Sequence, residues 1–183
     1  MAASQPVSGT GVGPVIVMGV SGAGKTEVGR ALAARLGLPF IEGDSLHPRA
    51  SIEKMAAGIP LDDDDRWPWL DSIGTQLAEA AEHAGGAVAT SSALKAAYRD
   101  RLRAHVKQGL RFVFLNGSRS VLEERMHHRT GHFMPPALLD SQLRTLEPPF
   151  GEPGVLVLDI DQPLERIVDD AFHWLRPDAR IGD

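Results

Sequence analysis

A lysine and a threonine close the stretch Gly19–Thr26, GVSGAGKT, whose spacing is G-x-x-x-x-G-K-[ST]. Glycines at 19, 22 and 24 let the backbone curl through Val20, Ser21 and Ala23 with its N–H groups turned inward, where they can cradle phosphate oxygens. In that setting Lys25 bridges the terminal phosphates of a nucleoside triphosphate, and the Thr26 hydroxyl ligates magnesium. Asp44 lies just past a second short apolar run. A carboxylate there can take a hydroxyl proton or hold magnesium through water, although an Asp at such a place can also cap a helix. Arg125 and Arg129 are four residues apart, so one helical face presents both cations to a migrating charge; a solvated basic face is the other reading. Gly131 and Pro135-Pro136 follow and suggest a segment that closes over the nucleotide as a lid. His127, His128 and His132 stand beside these arginines without nearby acids, and read as surface or lid residues rather than metal ligands.

These groups need elements to position them. The apolar run Pro14–Met18 suits a buried parallel strand, and Val28, Ala31, Leu32 and Leu36 follow the loop at helical spacing. Strand, loop and helix in that order is the context the phosphate motif requires. Four more short strands are expected at 38–41, 87–90, 112–115 and 155–158, with helical patterns between them. Pro48 can open a helix that stops near Gly58. The acidic run Asp62–Asp65 reads as a turn leading into a longer helix begun by Pro68. Leu164, Ile167, Val168, Ala171 and Leu175 pattern the last helix. The expected fold is α/β: a mostly parallel five-stranded sheet flanked by helices, doubly wound, with ligands at the carboxyl ends of the strands. Residues 1–13 form a flexible N-terminal segment, 14–175 one domain with a helical lid at about 124–136, and 176–183 a tail.

Composition narrows the function. A net charge of −5 argues against broad nucleic-acid or anionic-membrane binding, and the absence of cysteine excludes disulfides and thiolate metal sites. No apolar run approaches the ~18 residues of a membrane span, and the N-terminus lacks the basic and apolar regions of a signal peptide. A regulatory GTPase would carry N-K-x-D, which is absent, and the D-x-x-G string Asp71–Gly74 falls inside a predicted helix. Asp159 ends the last predicted strand and reads as a strand-end turn. A small-molecule or nucleotide kinase fits the size and supplies a base, cations and an acceptor pocket. Shikimate-type and nucleoside-monophosphate kinases share that scaffold, and a nucleotide-binding regulatory module without turnover is the reading from another class.

GDSLHP (43–48), IEKMAAGIPLDDDDRWPWL (52–70), SSALKAAYRDRLR (91–103), RTGHFMP (129–135) and VLDIDQPLE (157–165) together resemble the bacterial-type gluconokinases of the P-loop kinase group. The similarity runs in order from about Val15 to about Leu175. It implies transfer of the γ-phosphate of ATP, with magnesium, to the 6-hydroxyl of D-gluconate, in a cytoplasmic homodimer feeding the pentose-phosphate or Entner–Doudoroff routes. It further implies that Asp44 activates the acceptor hydroxyl, and that His47, Arg66, Lys95 and Arg99 line the sugar-acid pocket. Arg125 and Arg129 would be the lid cations, with Asp161 and Pro163 near the adenine. Departures are small: Asp62 stands where relatives often have Asn or Thr, Ser91 where Cys is common, and Trp67 is a bulky variant.

Overall fold

All five apolar runs become strands of a single parallel sheet in the computed structural model, which describes residues 11–107, 109–128 and 136–180. Strands β1 (Gly13–Met18), β2 (Phe40–Ile41), β3 (Gly86–Ser91), β4 (Arg111–Asn116) and β5 (Val155–Asp159) lie in the order β2-β3-β1-β4-β5. Every residue of β1 and β3 is buried, so both faces of the sheet are covered. Helix α1 (Lys25–Leu36) packs with α7 (Leu164–Leu175), and α3 (Asp63–Ala84) packs with α4 (Ala96–His105). Between these come α2 (Arg49–Ala56), α5 (Arg119–His127) and α6 (Pro136–Thr145). Because every pairing is parallel, the loops after β1, β2 and β3 gather at one edge, beside the point where the chain reverses its winding at β1.

Strands β3, β4 and β5 each run a residue or two beyond expectation, and three other boundaries differ. β2 begins at Phe40 rather than Leu38, because the Leu38 N–H closes the end of α1 by donating to the Ala33 carbonyl at 2.9 Å. α3 begins at Asp63, so the acidic run is its cap and first turn. Asp62 and Asp65 bond reciprocally to each other's backbone N–H, and this capping box outweighs the preference of Pro68 for a first position. Pro68 sits inside the helix on its exposed side, where it offers no N–H to the carbonyl four residues before it. At the N-terminus, Val12 is already buried and β1 begins at Gly13, paired with Gly86, rather than at Pro14. Of the expected lid, Arg125 lies on α5, whereas Arg129 and His132 lie outside the described residues. None of the described helices is long and apolar enough to cross a membrane.

Candidate active site

From Met18 the chain turns directly into the loop 19–24, and α1 starts at Lys25. Gly22 and Gly24 take φ of 83° and 89°, a region closed to most side chains. A Cβ at Gly22 would also sit 3.0 Å from Met126 Cγ and 3.1 Å from the Leu122 carbonyl, and one at Gly24 would lie 3.4 Å from Arg125 Nη1. Helix α5 thus walls the loop and holds Arg125 beside it. The Arg125 guanidinium also donates to the Ile160 carbonyl, which links the loop to the segment holding Asp161 and Pro163. Lys25 Nζ donates to the Val20 carbonyl at 3.0 Å, folding the ammonium back over the loop, while the positive end of α1 faces the same space.

Glu42 follows β2 immediately, and it is the site residue that sequence reading passed over in favour of Asp44. One carboxylate oxygen accepts the Thr26 hydroxyl and the other the Thr90 hydroxyl, both at 2.6 Å. The Thr90 oxygen also accepts the Gly43 N–H at 2.9 Å. Only glycine fits at 43, since a Cβ there would lie 1.8 Å from the Thr90 carbonyl oxygen. A hydroxyl that gives its one proton to Glu42 directs its lone pairs elsewhere. A hydroxyl so oriented, with carboxylates at 42 and 44, is a hard-oxygen donor set of the kind magnesium takes alongside phosphates and water. The described residues hold no group of three or more His, Cys, Asp or Glu able to bind a metal. The signal for Glu42 was positional: it is the first residue past a strand's carboxyl end.

Across the cleft from the loop, α3 contributes Arg66 and Trp69. Trp69 is buried; its indole N–H donates to the Gly43 carbonyl at 2.8 Å, and its ring stacks on His47 at 4.1 Å between centroids. Burial pushes the His47 imidazole down from its ordinary 6.5 to about 4, against the pull of Asp44 and helped by the Arg66 guanidinium. Its Nδ1 is buried without a hydrogen-bond partner among the described residues. Arg66, 6% exposed, donates through Nε and Nη2 to the Leu61 carbonyl. A cleft of about 850 Å³ brings together Ser21, Gly22, Gly24, Lys25, Thr26, Glu42, Asp44, His47 and Arg66, with Ser141 and Gln142 of α6 across from them.

Two expected pocket residues lie elsewhere. Lys95 lines a neighbouring hollow of about 440 Å³, where its ammonium meets Asp63 at 2.9 Å. Arg99, 1% exposed, is fully engaged: Nε bonds Glu152 at 3.0 Å, Nη1 the Ala93 carbonyl at 2.8 Å, and Nη2 the Glu147 carbonyl at 3.0 Å. A buried cation demands such partners, and Arg99 does not line the cleft. Arg99 instead braces Ala93, the one non-glycine residue with positive φ among the described residues, at 44°. Asp161 and Pro163 do not line the main cleft; the Asp161 N–H bonds Asp159 Oδ1 at 2.9 Å and Pro163 caps α7. His127 is exposed and bonds its own helix at the Glu123 carbonyl.

A family model described as an AAA domain matches residues 15–149. The chain is 46% identical to the thermoresistant gluconokinase of Escherichia coli (strain K12), over 88% of this chain and 92% of that one. It is 49% identical to the gluconokinase of Gluconobacter oxydans (strain 621H), over 78% of this chain and 79% of the other. The crystal structure of a gluconokinase from Sinorhizobium meliloti 1021 superposes with a TM-score of 0.83 at 56% identity, covering 91% of this chain and 93% of that one. The chain belongs to the gluconokinase family. A Mycobacterium tuberculosis APS kinase at 18% identity and an Aquifex aeolicus shikimate kinase at 16% share the fold alone, with TM-scores of 0.63 and 0.56. Family membership matches the resemblance carried by the GDSLHP and DDDRWPWL stretches, which contribute Asp44, His47, Arg66 and Trp69 to this cleft.

Proposed function

We propose that this protein transfers the γ-phosphoryl group of ATP to the 6-hydroxyl of D-gluconate, giving 6-phospho-D-gluconate and ADP. The observation that carries the reading is one cleft in which the phosphate loop faces Asp44, His47 and Arg66. Asp44, exposed on the turn after β2, accepts the hydroxyl proton as the oxygen bonds the γ-phosphorus and the bond to the ADP oxygen breaks. Lys25 and Arg125, with Arg129, follow the charge on the transferred group. Arg66 offers the cation for the sugar-acid carboxylate, and neutral His47 offers a hydrogen bond to a sugar hydroxyl. Thr26, oriented by Glu42, and Asp44 through water would hold magnesium, which supplies neutralisation of the phosphate oxygens. Asp161 and Pro163 belong to the adenine side of this proposal, next to the carbonyl that Arg125 holds. We also propose cytoplasmic placement, homodimer assembly and a role in gluconate catabolism, as the sequence resemblance implies.

The test is ADP release with magnesium and ATP against D-gluconate, shikimate, UMP, AMP and buffer. Saturable release with gluconate alone is the expected result. A response to shikimate or a nucleotide would leave the fold and sink the sugar-acid pocket. No acceptor-stimulated release would put a nucleotide-binding module in its place.

A further inference from the structure

Ser21 belongs to the phosphate loop, yet its N–H donates to Gln142 Oε1 of α6 at 2.8 Å, across 121 positions of sequence. The same peptide group carries the Val20 carbonyl, and that carbonyl accepts Lys25 Nζ at 3.0 Å. In a planar trans peptide the C=O and N–H point to opposite sides. Lys25 therefore grips the Val20–Ser21 peptide from one side and Gln142 grips it from the other. Rotation of that peptide plane would break both bonds together. Gln142 is half-buried, lines the same cleft as Lys25, and sits on α6.

We propose that Gln142 is a positioning residue for Lys25: by holding the Val20–Ser21 peptide it fixes the carbonyl that orients the lysine ammonium toward the phosphates. The contact also ties α6 to the phosphate loop, so displacement of α6 would reach the lysine through one peptide group. The inference rests on reading the loop as the ATP site, and not on the identity of the acceptor.

A double-mutant cycle tests it. Binding of a magnesium-loaded, non-transferable ATP analogue is measured by calorimetry for wild type, Gln142→Met, Lys25→Met and the double variant. Gln142→Met keeps length and loses the acceptor. It is expected to weaken binding roughly threefold to tenfold, the worth of one hydrogen bond. In the Lys25→Met background the same change should alter affinity by less than about twofold, because the group it positions is gone. An equal loss in both backgrounds, or no loss in either, would overturn the proposal. Misfolding would lower the number of sites per chain rather than their affinity, and the titration reads both. Wild-type protein that binds no analogue would sink the ATP reading itself. Tight analogue binding without gluconate turnover would sink only the acceptor assignment.

Discussion

Lowering the pH from 7 to 5 should destabilise this protein through His47 in particular. The folded imidazole, pressed on Trp69 and beside Arg66, holds off protonation until about pH 4, whereas in the unfolded chain it titrates near 6.5. Between those values the unfolded state binds the extra proton, so stability falls as pH drops through the window and is fully present above it. At pH 5 the unfolded imidazole is almost wholly charged and the folded one almost wholly neutral, which is worth roughly 2 kcal/mol relative to pH 7. Other groups titrate too, so the measurement is a difference. Urea unfolding of wild type and His47→Gln is compared at pH 7 and pH 5, since Gln keeps a flat polar group on Trp69 and cannot titrate. The stability gap between the two proteins should shift by about 2 kcal/mol in favour of the variant as the pH falls, equivalent to roughly 4–8 °C in melting temperature. A gap independent of pH would show that His47 titrates alike in both states, and that its burial against Trp69 does not suppress the charge.

Thr90→Val keeps shape but strips the hydroxyl that serves Gly43 and Glu42, leaving a buried N–H unpaired. About 2 kcal/mol of stability should go, with Thr90→Ser recovering most of it in thermal melts, and a Val variant that melts like wild type would refute the network. Asp44→Asn should cut kcat with gluconate by roughly a hundredfold or more while the protein still melts normally; unchanged turnover would remove Asp44 as the base. Arg99→Met should cost about 3 kcal/mol in chemical denaturation, because it leaves the Ala93 and Glu147 carbonyls without their donor and Glu152 with Arg103 alone. Had Arg99 gripped the sugar acid, KM for gluconate would rise with little change in stability, and that pattern would restore the sequence-based expectation.

The phosphate loop was legible in the sequence because its working parts lie within eight consecutive residues, and left-handed glycines, lysine and threonine act through their own backbone. The five strands were legible for a similar reason, as continuous apolar runs of the kind a sheet covered on both faces requires. Asp44 was visible because a strand end precedes it. Arg66 and Arg99 were not separable: both are nearly buried cations on helices, and only the packing of α3 and α4 turns one to the cleft and the other to Glu152. Glu42 acquires its role from sheet order. With β3 lying between β2 and β1, and Ile41 in register with Ala89, the next residues along, Glu42 and Thr90, come within hydrogen-bond reach of each other. Gln142 meets Ser21 only because α6 folds back over the loop. The sequence by itself determined features carried by neighbouring residues: the phosphate loop and the apolar runs of the strands. The tertiary structure alone decided which distant polar groups complete one another, because a buried hydrogen bond depends on where two backbones are brought together, and residue type sets only what each can donate or accept.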